Sequence, residues 1–243
     1  AIVVRARLGD SASVGSVLRM PDEVRREAYD RMTTRAEAFT RSLLDRVSAV
    51  AGVESSALTA GLPVRPYYSN SPYQVIGSGS AGEVDAARTR VSGEYFDAMR
   101  IRLLSGRTFD SRDTPGGRKV AVISESLARR LWPGGHALGK TIALEIDRAL
   151  TSRGIRAATP LDSFEVIGVV EDVTPVLGTP GDRPLVYQNI LQPSDRTPAF
   201  FSRSLGTLIV RGSGNQAALI QGVRAAVTEA DAFAEVVSIQ TTE

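Results

Sequence analysis

The segment with the most chemical promise is GGHALGKT, residues 134–141, which fits the pattern G-x-x-x-x-G-K-[ST]. In a phosphate-binding loop of this kind the peptide N–H groups and the N-terminus of a following helix cradle the phosphates, and the lysine reaches the outer ones. That chemistry needs a buried strand before the loop and a long helix starting at the lysine. Here a helix-like stretch ends at Pro133, just before the loop, and residues 141–146 (TIALEI) alternate and include β-branched residues, as a strand does. The segment therefore reads as a turn between a helix and a strand. Gly134, Gly135 and Gly139 are expected to take positive φ, and Lys140 is expected to be a solvated charge.

Other residues capable of chemistry come in pairs. Glu171-Asp172 and Asp110-x-x-Asp113 are acidic pairs, able in principle to do acid–base work or to hold a hard cation. The second pair lies in the turn-forming string DSRDTPGG, where aspartates hydrogen-bond the local backbone. Tyr67-Tyr68, Tyr95-Phe96 and Trp132 could form a ligand cage, although Phe96 and Trp132 are better read as packing residues. The single histidine, His136, rules out multi-histidine metal centres and sits in a Gly-rich turn far from any G-x-S-x-G. With no cysteine there are no disulfides, thiolate metal sites or Cys nucleophiles. The expected set of catalytic, cofactor-binding and metal-binding residues is empty.

Composition is that of an ordinary globular protein. The net charge is only +2, Lys119 and Lys140 are the sole lysines, and the arginines alternate with acids in RREAYDR and TRAEAFTR. A clustered basic face, which nucleic-acid binding requires, is missing. No run of 18 apolar residues is present to span a bilayer. No signal peptide precedes the opening strand-like AIVVRARL, which suggests a domain whose flanking segments lie outside this sequence.

The elements that would position these residues follow from periodicity. A strand at 2–8 precedes a long helix from Pro21-Asp22 to Val50, whose apolar stripe is Tyr29, Met32, Ala36, Phe39, Leu43, Val47 and Val50. Gly52 stops the helix, VESSALTA is a strand, and GLPVRPYYSNSP is a breaker cluster. Strands are expected at 73–77 and 87–92, then a short helix GEYFDAM, a strand VAVIS, and a helix ESLARRLW capped by Ser124. Residues 147–163 read as a long polar loop, and FEVIGVVEDV and PLVYQNIL as strands. GTLIVRG is a strand, Asn215 caps a helix QAALIQGVRAAVTEA with Leu219, Ile220, Val223, Val227 and Ala230 on one side, and AEVVSIQT is the closing strand. Both ends thus read strand–helix–strand around a β-rich middle, an α+β layout with an inserted module.

The runs VSGEYFDAMRIRLLSGRTF, VAVISESLARRLWPGGHALGKTIAL, FEVIGVVEDV and RPLVYQNILQP, in this order and spacing, resemble the extracytoplasmic core domain of MacB/FtsX-like ABC transporter permeases. The likeness is closest to the large orphan permeases abundant in acidobacteria and covers essentially the whole chain. It departs at Arg100, where the family usually has glycine after the Tyr-Phe helix because that position takes left-handed φ, and in the long loop 147–163. The resemblance implies a non-enzymatic domain on the periplasmic side of the bacterial inner membrane, between two transmembrane helices of the permease. It implies a Porter-like subdomain from 1–104 and 191–243, with a Sabre-like subdomain, 105–190, inserted. The implied partners are the permease's own transmembrane helices, a cytoplasmic ATPase, a periplasmic adaptor or partner protein, and a second permease in a dimer. The implied role is mechanical, with hinge strands near 103–106 and 191–198. Two alternatives remain open: an FtsX-type signalling module that activates a partner enzyme, and a soluble phosphate-loop nucleotide-binding protein.

Overall fold

Alternation in the strands and the three-to-four spacing in the helices set the elements of the computed structural model. It describes residues 2–7, 22–59, 69–76, 84–144, 162–173, 184–192, 207–230 and 235–241. In chain order these contain β1 (Ile2–Arg7), α1 (Asp22–Ser48), β2 (Val53–Thr59), β3 (Ser69–Ile76), β4 (Val84–Val91), α2 (Tyr95–Met99), β5 (Leu103–Gly106), β6 (Val120–Ser124), α3 (Glu125–Leu131), β7 (Thr141–Leu144), β8 (Asp162–Val170), β9 (Leu185–Asn189), β10 (Thr207–Gly212), α4 (Gln216–Ala230) and β11 (Glu235–Thr241). The fold is α+β, as expected. It divides into two compact units, one of residues 1–60, 97–99 and 193–243, the other of 61–96 and 100–192.

In the first unit the strands run in the order β11-β1-β10-β2, with β1 antiparallel to both β10 and β11, and β10 antiparallel to β2. Two strand–helix–strand segments, one from each end of the chain, therefore interleave so that a strand of the second splits the pair of the first, the split βαβ arrangement. The α1 stripe holds where its side chains are described. Phe39, Leu43 and Val47 are buried, each contributing about 2 kcal/mol of burial free energy. On α4 the buried side is Leu219, Val223, Ala226 and Val227. Arg46 of α1 pairs with Glu229 of α4 at 2.8 Å, and a Cβ at Gly222 of α4 would lie 2.5 Å from Val50, so only glycine lets the helix approach this closely. The Asn215 cap forms as read: its Oδ1 accepts from the N–H groups of Ala217 (2.9 Å) and Ala218 (3.1 Å).

In the second unit the pairings β4–β3, β3–β7, β7–β8, β8–β6, β6–β9 and β9–β4 close into a ring, with β5 lying along β8 beyond the reach of β7. Residues contributed from around the ring form one core: Ala86, Ala121, Ile123, Ile142, Phe164, Val166, Val169 and Val186, joined by Leu127 and Leu131 of α3. Closure removes most free edges, the usual hazard of a β-rich module. The strand β3 begins at Ser69 rather than Tyr73, inside the expected breaker cluster. Pro72 is tolerated because β3 pairs only with β4 there, and its pairing with β7 starts at Tyr73.

Several expectations change. Residues 61–96 group with the second unit, since β3 and β4 belong to the ring, whereas a boundary at 104 assigned them to the first. The chain crosses between units at 60/61, 96/97, 99/100 and 192/193. The segment 103–106, expected as a hinge strand, pairs with β8 inside the second unit. Asp162 and Ser163, expected in the loop, already belong to β8. Residues 145–161, 193–198 and Tyr67-Tyr68 lie outside the described residues.

Candidate functional site

The glycine loop between α3 and β7 is built as a connector. Ser124 caps α3, its Oγ accepting from the N–H of Leu127 at 3.4 Å. After Leu131 the helix stops, and the Gly135 N–H donates to the Trp132 carbonyl at 3.0 Å. Gly134 and Gly139 take φ of 70° and 73°, but Gly135, expected to do the same, does not. Two donors a phosphate would need are spent on carbonyls: Gly139 N–H on Val166 (2.9 Å) and Lys140 N–H on Ala137 (3.2 Å). Strand β7 begins at Thr141, so no helix N-terminus faces the loop. This geometry does not support a phosphate loop, and His136 and Lys140 are simply exposed.

The acidic pairs are likewise committed to structure. Asp113 is buried, with a side chain only 3% exposed; it holds Arg107 through two bonds of 2.7 and 2.8 Å and accepts the Asp110 N–H at 2.9 Å. Asp110 accepts from the backbone N–H of Arg112 at 2.9 Å and from its guanidinium at 2.6 Å. The guanidinium of Arg112 in particular holds the Asp110 carboxyl well below the usual carboxylate range, and the bond to Asp113 raises Arg107. Glu171 accepts the Arg102 N–H at 2.9 Å and so titrates below its usual range. Asp172 sits at the N-terminus of α3, where it takes the Ser126 N–H (3.0 Å) and Oγ–H (2.6 Å) and complements the helix dipole. Among the described residues no cluster of His, Asp or Glu could hold a metal ion.

Phe96 and Trp132 pack in the second unit, as read, and Tyr95 does so too. Tyr95 and Phe96 are 1% exposed, and Phe96 stacks edge-on to Tyr187 with centroids 5.0 Å apart; Phe109 lies 6.1 Å from Phe96. Trp132 packs on the ring core. The α2 end fulfils the left-handed expectation at an unusual residue: Arg100 has φ 56°, and the Ile101 N–H returns to the Phe96 carbonyl at 2.8 Å, the Schellman bond.

Sequence reading missed two features. Asn189 and Gln192 pin the 110–118 turn to the end of β9. The Asn189 Nδ2–H donates to Asp113 O (3.3 Å), and the Gln192 amide donates to the Thr114 (2.9 Å) and Arg118 (3.0 Å) carbonyls. Arg88 of β4 has a buried Nη1 atom that no hydrogen-bond acceptor reaches among the described residues, and Arg90, two residues on, is buried and has interactions of its own. Alternation on β4 could have put both arginines on one face, but not on the core-facing one.

A split βαβ unit with an inserted β-ring, its acidic pairs spent on structure, makes an α+β module, and the periplasmic or extracellular domains of two ABC-type transporters have the same fold. The periplasmic region of MacB from Actinobacillus actinomycetemcomitans superposes with a TM-score of 0.57 at 15% identity, covering 98% of this chain and 88% of that one. The extracellular domain of the noncanonic ABC-type transporter YknZ from Gram-positive bacteria gives 0.52 at 14% identity, covering 97% of this chain and all (100%) of that one. The chain belongs to the MacB-like periplasmic core domain family, whose model matches residues 3–237. It is also 27% identical over 123 residues to the uncharacterized ABC transporter permease YknZ of Bacillus subtilis (strain 168), a stretch that is 51% of this chain and 27% of YknZ. The chain thus aligns with about a quarter of that relative's length. No helix among the described residues is long and apolar enough to cross a membrane.

Proposed function

We propose that this chain is the non-catalytic periplasmic domain of an ABC-type permease of the inner membrane, coupling motion of the permease's transmembrane helices to substrates or partner proteins outside. The observation that carries this reading is the family match over residues 3–237, together with two compact units between which the chain passes four times. The first unit serves as the Porter-like subdomain and the second as the Sabre-like one. Repeated crossings give a lever: a push on the flanking helices reaches both units through backbone. The energy comes from a separate cytoplasmic ATPase, and the acidic pairs spent on structure leave this domain to transmit motion.

The chain contains no cysteine, so spin labels can be placed cleanly. Arg224→Cys and Thr114→Cys are exposed and lie one in each unit. In the full-length permease with its ATPase, the label–label distance distribution shifts between nucleotide-free and ATP-trapped states. An identical distribution in both would end the mechanical reading.

A second reading, an FtsX-type signalling role, has one observation in its favour. Leu103 and Leu104 of β5 and Leu138 of the glycine loop are exposed at 37–39%, and the Leu138 side chain lies against Gly106. Exposed apolar side chains suit a protein partner. It is tested by Leu103→Asp with Leu104→Asp: loss of partner activation with ATP hydrolysis unchanged supports signalling, and no effect on a partner removes it.

A further inference from the structure

The β-ring has a charged position that no side chain among the described residues neutralises. Residues 84, 86, 88 and 90 share one face of β4, and Val84 and Ala86 on that face pack in the ring's core. Arg88 and Arg90 therefore start toward the same interior, where register sets Arg88 beside Val186 and Arg90 beside Gln188 on β9. Arg90 is 7% exposed and has interactions of its own. Arg88 is half-buried, and among the described residues no acceptor reaches its buried Nη1. The Cα atoms of residues two apart on a strand stand about 7 Å from each other, and like charges on neighbouring same-face side chains repel where water is scarce.

Among the described residues, the carboxylates of the second unit are paired elsewhere or exposed. Asp110, Asp113, Glu125, Glu165, Glu171 and Asp172 pair with Arg112, Arg107, Arg129, Arg118, Arg102 and Arg129 respectively. Asp85 is exposed and projects from the opposite face of β4, and Glu94 is exposed in the following turn. A buried guanidinium N–H without an acceptor carries its full desolvation cost. Water supplies an acceptor but no charge. An oxyanion supplies both, and its geometry suits the guanidinium fork.

We propose that Arg88, with Arg90 beside it, binds a small anion through a phosphate or carboxylate group at the inner face of β4. The test uses the intact chain in chloride at constant ionic strength, titrated with inorganic phosphate or with acetate, followed by thermal unfolding and calorimetry. One of the two probes raises the wild-type midpoint saturably, by about 5–10 °C at a hundredfold excess over its dissociation constant. Which probe acts identifies the group as phosphate or carboxylate. Arg88→Met abolishes the response and leaves the midpoint in chloride unchanged or higher, because an unneutralised charge has been replaced by an apolar chain. Arg88→Lys keeps the charge without the fork and binds about tenfold more weakly. The proposal is overturned if neither probe acts saturably or if wild type and Arg88→Met respond alike. It is equally overturned if Arg88→Met lowers the midpoint in chloride, which would mean the guanidinium is already neutralised within the chain.

Discussion

Arg100 offers a substitution whose sign follows from backbone geometry alone. Its φ of 56° places an L-residue with a side chain in the left-handed region at the end of α2. That conformation costs an ordinary residue about 1–2 kcal/mol relative to its preferred regions. Glycine pays no such cost but loses more backbone freedom on folding, about 0.5–1 kcal/mol. Arg100 is exposed, and no hydrogen bond or ion pair among the described residues holds its side chain, so little else is lost. Arg100→Gly is expected to stabilise by about 0.5–1 kcal/mol, raising the midpoint by about 2–4 °C. Arg100→Ala keeps the left-handed penalty and should be near neutral. Urea denaturation of wild type and both variants, with the midpoint and slope read separately, checks this. A neutral or destabilising Arg100→Gly, or an Arg100→Ala that gains as much, would show that the strain is relieved in solution or that the arginine side chain matters.

Other outcomes follow from named contacts. Gly168→Ala places a Cβ 2.2 Å from the Arg107 carbonyl oxygen, a backbone atom that cannot swing aside, and should cost at least about 2 kcal/mol in urea unfolding. Asp113→Asn removes the charge paired with half-exposed Arg107 and should destabilise by about 2 kcal/mol, most visibly as faster proteolysis of the 107–118 segment. The carboxyls of Asp110 and Glu171 titrate lower in the folded chain than in the unfolded one. Their contribution is complete above about pH 4–5 and is lost as pH falls through the folded values, so the double variant Asp110→Asn, Glu171→Gln should flatten the acid limb of the stability curve. Glu37 runs the other way: burial, partly offset by Arg41, raises its carboxyl, so its ionisation opposes folding as pH rises. Glu37→Gln should gain stability at pH 7 and show no gain below pH 4, measured as paired urea midpoints.

The sequence was most legible where a signal is local. The ends of α4, the Ser124 and Asn215 caps and the strand character of Thr141–Leu144 depend on neighbours within a few residues, and all appear in the structure. The helix–turn–strand reading of GGHALGKT succeeded for the same reason. What could not be read is set by pairing between distant segments. Val84–Val91 looks like any alternating strand, and only its two partners, β3 and β9, bring residues 61–96 into the second unit. Ring closure likewise determines that Arg88 and Arg90 face inward. The positive φ expected of Gly135 failed because glycine permits that conformation without requiring it. Gln192, which ties the 110–118 turn to β9, shows no distinguishing pattern in PLVYQNILQP, because its partners are carbonyls more than seventy residues away.

The order of strands in the first unit has a consequence for biosynthesis. The two partners of β1, β10 and β11, are made about 200 residues after it, since β1 ends at Arg7 and β10 begins at Thr207. At about 5–20 residues per second on the ribosome, that leaves the first strand waiting roughly 10–40 s for a mate. The ring, whose strands all lie between Ser69 and Asn189, is by then fully synthesised and free to close. A ribosome that stalls before Thr207 therefore releases a finished ring tethered to an orphan β1, an apolar strand that quality-control proteases and chaperones are equipped to seize.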